Sequence, residues 1–251
     1  MHVLVCASRK GGGGKTVCAR HLAVSALEAG LRVAIVDLDP MVGLTRWWSR
    51  RAEDALELLD LAPNGMARDT SDQRVAAAET AASALANALP SLRKAGHDLL
   101  IVDTPPAADR IVAQAIACAD LVLVPVRPSP DDLDAVGETV DIVTDAKKPM
   151  VFIVNAATRK ARLTSDAAIA LSQHGTVSPA VLHRADAYAA SALDGRTVSE
   201  ADPKGKPAEE VAALWLYVSK RLGLQACKHG SSSDRRQASN VAGDKAAKDA
   251  R

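Results

Sequence analysis

The stretch Lys10-Gly-Gly-Gly-Gly-Lys15-Thr16 directly follows the apolar run Val3–Ala7. An apolar strand, a glycine loop and a helix, in that order, predict a loop that binds a nucleoside triphosphate. Without a Cβ, the backbone of Gly11–Gly14 can close around phosphate oxygens, and the helix that begins near Lys15 adds the positive end of its dipole. Lys15 is expected to reach the β- and γ-phosphates, and Thr16 to ligate Mg²⁺.

Apolar runs alternate with helical patterns along the rest of the chain. Strands are predicted at 2–7, 32–37, 98–103, 120–125, 149–155 and 177–182, and helices at 15–29, 44–56, 72–95, 107–117, 131–146, 163–174 and 207–222. Pro90 is expected to break or kink the third helix. This alternation predicts a three-layer α/β fold, in which a mostly parallel twisted sheet carries helices on both faces.

Composition narrows the class of protein. Of 251 residues, 48% are hydrophobic but only 2% are aromatic, so the core must be aliphatic. The net charge of +1 means that any affinity for nucleic acid must come from a local patch. No cysteine pair has metal-ligand or redox spacing, and we expect a cytoplasmic protein without a signal peptide. Residues 1–227 are predicted to form one domain, and the polar stretch 228–251 a disordered tail.

Carboxylates follow two of the predicted strands. Asp37 and Asp39 come at the end of the second strand, and Asp103 ends the third. Ligands bind at this edge of an open α/β sheet, so these side chains are expected to face the phosphates. One of Asp37 and Asp39 would then orient Mg²⁺ through water and the other would position or polarise the attacking water, while Asp103 is expected to hold waters of the cation. The alternative is that Asp39-Pro40 forms only a turn.

Two further strand ends offer contacts to a nucleotide base. The fourth strand is followed by three prolines, which fix a rigid loop at the same edge of the sheet. A base or a dimer partner could rest on Pro128, although a stiff connection explains the prolines equally well. Asn155 ends the next strand and could donate a hydrogen bond to a base, or be an ordinary turn residue.

Taken together, these motifs resemble those of the ParA family, the deviant-Walker ATPases that segregate plasmids and chromosomes. The resemblance covers roughly residues 1–224 and is closest to the short plasmid type, similar to ParF, without an N-terminal helix-turn-helix domain. One departure is Met41, where the family usually has Gln. The motifs that carry the resemblance, in chain order, are Lys10-Gly-Gly-x-Gly-Lys-Thr, Asp37-x-Asp39-Pro40, Thr45-x-Trp47, Ile-Val-Asp103-Thr-Pro-Pro and Pro125-Val-x-Pro128-Ser129-Pro130-x-Asp132.

The resemblance implies roles for the matching residues. Lys10 corresponds to the signature lysine, which reaches across an ATP-bound sandwich homodimer to the partner subunit's phosphates. Asp39 corresponds to the residue that activates water, and Asp103 to the Walker B aspartate. ATP and Mg²⁺ are the implied cofactors. The implied nucleotide-binding residues are Lys10, Gly11, Gly12, Gly13, Gly14, Lys15, Thr16 and Val17, with Pro128 and Asn155 at the base.

The resemblance also implies partners. Leu182–Tyr188, followed by Asp194–Val198, is similar to the family segment that carries a DNA-binding arginine, and Arg184 falls on it. An exposed arginine with no partner is the alternative. The implied function is partition: the dimer binds nonspecific DNA on the nucleoid, and a ParB-like centromere-binding or cargo adaptor protein stimulates hydrolysis and releases the DNA.

Other members of this superfamily are weighed against that function. A membrane-cycling ATPase similar to MinD needs an amphipathic C-terminal helix, for which 214–218 is the candidate, but we expect this segment to be a core helix and expect no stable membrane association. An iron–sulfur ATPase needs two cluster-binding cysteines, and only Cys118 lies in that region. A tyrosine kinase usually has a tyrosine-rich tail, which is missing. An ATPase that positions a protein cargo such as carboxysomes remains open.

Overall fold

The computed structural model describes residues 1–52, 55–107 and 109–224, so the tail predicted at 228–251 lies outside the described residues. The strands are β1 (His2–Cys6), β2 (Val33–Asp37), β3 (Glu57–Leu58), β4 (Leu99–Asp103), β5 (Leu121–Val126), β6 (Met150–Val154) and β7 (Thr176–Val177). The helices are α1 (Lys15–Glu28), α2 (Gly43–Trp48), α3 (Ser71–Lys94), α4 (Asp109–Ala117), α5 (Pro130–Asp134), α6 (Val136–Asp145), α7 (Arg162–Ser172), α8 (Ala187–Ala190), α9 (Val198–Ala201) and α10 (Lys206–Arg221), with a 3-10 helix at Ser191–Asp194.

The strands form one parallel sheet in the order β3-β2-β4-β1-β5-β6-β7. Strand β1 is central, between β4 and β5. Later strands are added first on one side of β1 and then on the other, so the strand order reverses beside it. The register pairs Cys6 with Asp103 and Asp37 with Asp103, which brings the carboxyl ends of three strands together. This is the crevice at which open α/β folds bind their ligands.

Both faces of the sheet are covered, as predicted for near-continuous apolar strands. Val3 and Val5 point to one face, which packs under α3, α4, α6 and α7. Leu4 and Cys6 point to the other face, which packs under α1, α2, α9 and α10. The predicted three-layer architecture is therefore confirmed.

Three element boundaries, and the break expected at Pro90, differ from the sequence prediction. Helix α2 ends at Trp48 instead of 56, and the chain then returns to the sheet as β3. Helix α3 continues through Pro90, since the buried Leu89 and Leu92 hold it against the core. The helix predicted at 131–146 is divided at Ala135 into α5 and α6. The strand predicted at 177–182 ends at Val177, because Pro179 has no N–H for the ladder.

Candidate functional site

The glycine loop between β1 and α1 has a backbone conformation that strongly favours glycine. Gly14 has a φ of 105° and Gly12 a φ of 77°. The Asn155 side-chain amide donates a 2.7 Å hydrogen bond to the Gly13 carbonyl. A Cβ built on Gly14 would lie 2.0 Å from that amide nitrogen. The loop is thus held from below by the end of β6, and a side chain at position 14 would displace it.

Lys15 occupies the centre of the loop. Its side chain is 6% exposed, and its ammonium donates to the carbonyls of Ser8 (2.9 Å) and Lys10 (3.3 Å). Burial lowers the pKa of this ammonium, while the carboxylates of Asp103 and Asp39 oppose that shift. An anion entering the loop would find a desolvated cation already in place. The cleft above the loop has a volume of about 270 Å³ and is lined by Gly11, Gly12, Gly14, Lys15, Thr16, Val17, Asp39 and Pro106.

Asp103 is fully buried beside the loop, and only one of its oxygens is satisfied. Thr16 Oγ1 donates to Asp103 Oδ2 at 2.6 Å, whereas Oδ1 has no partner among the residues that the structure describes. Burial, together with the nearby charge of Asp37, raises the pKa of Asp103 to about 8, against the opposing effects of Thr16 and Lys15. A buried carboxylate oxygen without a donor is what a hydrated divalent cation would complete.

The two carboxylates after β2 are oriented differently. Asp37 accepts hydrogen bonds from the backbone N–H of Asp39 (3.0 Å) and from the N–H and hydroxyl of Thr45 (2.8 and 3.0 Å). Burial raises its pKa, and these three donors oppose the shift. Asp39 lines the cleft and also accepts from the N–H of Met41 at 2.9 Å. The turn predicted at Asp39-Pro40 therefore exists, and it presents the carboxylate to the cleft.

These residues fit Mg²⁺ bound together with a nucleotide. Over the described ranges, no three His, Cys, Asp or Glu side chains form a metal-binding group. Mg²⁺ usually takes one or two protein oxygens and completes its shell with phosphates and waters. Thr16 would supply its hydroxyl to the cation, and Asp103 and Asp37 would hold its waters. The predicted metal residues are thus brought to one point, and their metal role stays a prediction.

Lys10 lies at the mouth of the loop and is held by its own subunit. Its ammonium is 3.5 Å from Asp132 Oδ2, and its side chain is 30% exposed. Asp132 is 5% exposed and also accepts from Arg127 Nε (3.0 Å) and the Ser129 hydroxyl. Burial alone would raise the pKa of Asp132, but the hydrogen bonds from Ser129 and Arg127 and the Lys10 charge lower it.

Asp132 has no assigned role in the sequence analysis, although it belongs to the motif quoted there. The signal was present, because Ser129-Pro130-x-Asp132 matches a helix start in which the third residue reaches back to the cap. Ser129 is indeed the cap of α5, and its hydroxyl bonds Asp132. Asp132 is thereby fixed within reach of Lys10, and a Lys10 side chain that reaches a second subunit must first leave it.

The two segments that carry the predicted base contacts approach different glycines of the loop. Pro128 follows Arg127, whose guanidinium lies 3.6 Å from a Cβ built on Gly12, so this connection covers the loop. Asn155 lies beneath the loop, with its amide nitrogen engaged by Gly13. The structure thus gives Asn155 a loop-supporting role that the sequence analysis missed. Base contacts by either residue stay predictions.

Arg184 is exposed and lies outside the cleft. Its backbone N–H donates to the Ala157 carbonyl at 2.9 Å, which fixes the chain after β7 beside the end of β6. The preceding His183 is held by Glu210 of α10 through both its backbone N–H and its ring, each at 2.9 Å. The position of Arg184 is therefore defined, and its proposed contact with DNA stays a prediction.

Comparison with known sequences agrees with this geometry. The family model described as "ATPase MipZ" matches residues 2–172. The chain is similar to maintenance of carboxysome distribution protein A of Gloeobacter kilaueensis, with 31% identity over 225 residues, 88% of this chain and 93% of that protein. It is also 35% identical to the chromosome-partitioning ATPase Soj of Thermus thermophilus over 134 residues, 49% of this chain and 54% of that protein.

Comparison with solved structures confirms the fold. The septum site-determining protein MinD of Pyrococcus horikoshii, complexed with Mg-ADP, superposes with a TM-score of 0.73 at 19% identity, over 91% of this chain and 99% of that one. The ATP complex of a Cyanothece McdA variant superposes with a TM-score of 0.69 at 20% identity, over 90% of this chain and 97% of that one. The chain therefore belongs to the MipZ/ParA family of P-loop ATPases.

Proposed function

We propose that this ATPase positions a cargo on DNA. Two subunits close face to face over two ATP molecules, and the closed pair binds the DNA backbone of the nucleoid without reading its sequence. An adaptor on the cargo, similar to ParB, stimulates hydrolysis, and the opened subunits release the DNA. The coupling is a population shift, because ATP favours the dimer only through the contacts that it makes there and not in the single subunit.

The observation that carries this proposal is the placement of the two lysines. Lys15 is buried in the loop, where it serves its own subunit's phosphates. Lys10 lies at the mouth of the loop with its side chain 30% exposed, so on leaving Asp132 it is free to turn toward a second copy. A cation supplied across an interface to the transferring phosphoryl group acts like an arginine finger. The site is then complete only in the dimer.

We expect hydrolysis to be slow in the absence of a partner protein, and the residues of the cleft support this expectation. We propose that Asp39, which lines the cleft, accepts a hydrogen bond from the attacking water, and that Lys15 neutralises charge on the phosphates. Thr16, Asp37 and Asp103 would hold Mg²⁺ and its waters, and the cation would supply positive charge to the phosphates. A carboxylate is a weak base toward water, so positioning has to supply most of the acceleration. Lys10 from the second subunit adds the remaining positive charge.

DNA binding is proposed to depend on Arg184 in each subunit. With a formal net charge of +1, the chain has little overall attraction to a polyanion. Joining two copies of one local cationic surface doubles the number of phosphate contacts, which raises affinity and makes it strongly salt-dependent. This supports an ATP-dependent, sequence-independent mode of binding.

A second candidate function uses the same cycle with a protein cargo in place of a plasmid or chromosome. It is favoured by the similarity, over 93% of its length, to the maintenance of carboxysome distribution protein of Gloeobacter kilaueensis. The two functions differ in the adaptor and not in the ATPase. Identifying the protein that binds the ATP form and accelerates its turnover decides between them.

A membrane-cycling function is less favoured. The candidate amphipathic segment 214–218 is part of α10, where Leu214 and Val218 are buried against the core. The expectation of a core helix is thereby confirmed, although Leu216 is exposed. Through residue 224, apart from 53, 54 and 108, no helix is long and apolar enough to cross a membrane.

The proposed cycle is tested by measuring DNA binding of the full chain in ATPγS and in ADP, both with Mg²⁺. The expected result is binding in ATPγS, little in ADP, and none with Lys15→Ala in either. Lys94→Ala, at the exposed end of α3, is the matched loss of one positive charge and should bind like the unmodified protein. Equal DNA binding in the two nucleotides would rule out the cycle.

A further inference from the structure

Helix α2 connects Asp37, one of the proposed metal carboxylates, to the segment Tyr188–Glu200, which follows Arg184. We propose that α2 is a transmission element: Trp47 and Arg51 are positioning residues that transfer a nucleotide-dependent shift at Asp37 to this segment. The inference rests on the proposed function for its consequence, the control of DNA affinity. The connection itself consists of contacts in the described residues.

One end of α2 lies in the nucleotide site. Both the N–H and the hydroxyl of Thr45 donate to Asp37 Oδ2, at 2.8 and 3.0 Å. A Cβ built on Gly43 would lie 3.6 Å from Thr16 Cγ2, so the start of α2 packs on the residue proposed to ligate the cation. A cation held near Asp37 competes with Thr45 for the same carboxylate oxygens. A change in that competition acts on α2 directly.

The other end of α2 is bound to the segment. Trp47 is 2% exposed, and its indole N–H donates to the Arg196 carbonyl at 3.1 Å. Arg51, just beyond the helix, donates to the Gly195 carbonyl at 2.7 Å and forms an ion pair with Glu200 at 2.7 Å. The Arg51 guanidinium also lies 4.9 Å from the centre of the Trp47 ring. Thr45 and Trp47 are two residues apart, about 3 Å along the helix axis, so a displacement of Thr45 is transmitted to Trp47 with little loss.

The segment touches this helix end backbone to backbone. Gly195 has a φ of 77°, and a Cβ built on it would lie 2.5 Å from the backbone nitrogen of Arg51 and 2.7 Å from the carbonyl carbon of Arg50. No side chain can be inserted there without moving one of the two chains apart. A displacement of α2 therefore has to be followed by Gly195 and Arg196.

Helix α1 holds the flanks of the same segment. Arg20 donates to the Tyr188 carbonyl at 2.6 Å, and the N–H of Val198 donates to His21 Nε2 at 3.3 Å. Because α1 begins in the glycine loop, it stays in place as long as that loop does. Helix α1 therefore fixes the segment at Tyr188 and Val198, and a displacement of α2 moves the residues between them. Its exposed cation, Arg196, and the neighbouring Arg50 change their position relative to Arg184.

The test uses the neighbouring tryptophans as a matched pair. Trp47→Phe removes the donor to Arg196, and Trp48→Phe removes an equivalent donor to the Leu56 carbonyl at 2.8 Å, which lies outside the segment. Hydrogen–deuterium exchange of the full chain is measured without nucleotide and with ATPγS and Mg²⁺. We expect nucleotide to change exchange over 187–201 in the unmodified protein and in Trp48→Phe. In Trp47→Phe this change should shrink about fivefold or more, as expected for a lost coupling of one buried hydrogen bond.

Two results would overturn the inference: no nucleotide-dependent change over 187–201 in the unmodified protein, or a change that Trp47→Phe retains in full. If Trp47→Phe does not fold, Arg51→Gln is the second variant, because it removes the Arg51 contacts with the Gly195 carbonyl and with Glu200. The expected and contradicting results are the same. DNA binding measured in parallel separates the two proposals. A nucleotide-dependent change in exchange without DNA binding would contradict the proposed function only. ATP-dependent DNA binding without that change in exchange would contradict this inference only.

Discussion

Replacing Asp103 by Asn should change how the stability of the nucleotide-free protein depends on pH. Asp103 is fully buried, one oxygen has no donor among the described residues, and its pKa is raised from 3.8 to about 8. The folded protein therefore keeps a proton there that the unfolded chain has lost. Stability from this group is fully present below pH 3.8 and is lost as pH rises through about 8.

The magnitude follows from the separation of the two pKa values. Between 3.8 and about 8, each pH unit removes about 1.4 kcal/mol of unfolding free energy. From about pH 6 to about pH 8 the loss is about 2 kcal/mol, or about 4 to 8 °C in Tm for a chain of this size. His21 acts in the opposite sense, because burial lowers its pKa to about 3. His21 is present in both the unmodified protein and Asp103→Asn, so its contribution cancels when their unfolding free energies are subtracted.

The assay is urea unfolding of the unmodified protein and Asp103→Asn at the two pH values, without Mg²⁺ or nucleotide. The difference in unfolding free energy between the two proteins should shift by about 2 kcal/mol in favour of Asp103→Asn at the higher pH. Mg²⁺ with ATPγS should flatten the slope of the unmodified protein, since a nearby cation stabilises the ionised carboxylate. Parallel slopes for the two proteins without cation would show that Asp103 holds no proton in the folded state over this pH range.

Three further predictions concern the loop, its lysine and DNA. Gly14→Ala should lose about 1–3 kcal/mol of unfolding free energy and bind nucleotide more weakly, because the new Cβ would meet Asn155. Gly11→Ala is the control and should keep near-normal stability, since its Cβ would meet nothing within 4 Å. Equal stabilities of the two variants would contradict this prediction. Asp132→Asn should release Lys10 and favour the ATP-bound dimer about two- to fivefold per subunit in sedimentation analysis. Lys10→Ala should abolish this gain. An unchanged dimer fraction would show that the Lys10–Asp132 ion pair does not restrain dimer formation. Arg184→Ala should lower the slope of log affinity for DNA against log salt by about 1 per subunit, and an unchanged slope would remove Arg184 from the interface.

The fold was predictable because its layers follow from local patterns. A buried parallel strand needs a short aliphatic run, and runs such as Leu99–Asp103 are bounded by turn residues. The misses lie where tertiary contacts outweigh local preference. Pro90 stays within α3 because Leu89 and Leu92 are buried. Strand β3, with only two residues, is too short to give a periodic signal.

The centre of the site was predictable for a different reason. Lys15, Thr16 and Asp103 lie at strand ends or loop ends, and parallel strands bring those ends to one edge. The geometry confirms that they meet, through the 2.6 Å bond of Thr16 to Asp103. The Asp132 cap was readable from the sequence, but its contact with Lys10 and the contact of Trp47 with Arg196 were not, because each joins segments whose spacing is set only by packing of the helices.

We propose that the glycine loop binds a triphosphate and that a lysine from a second subunit completes the site. A crystal structure of the chain with ATPγS and Mg²⁺ tests it most directly. We predict a closed pair with the γ-phosphate between the subunit's own Lys15 and the partner subunit's Lys10, and with Lys10 released from Asp132. A closed pair in which Lys10 remains on Asp132 of its own subunit would contradict the account.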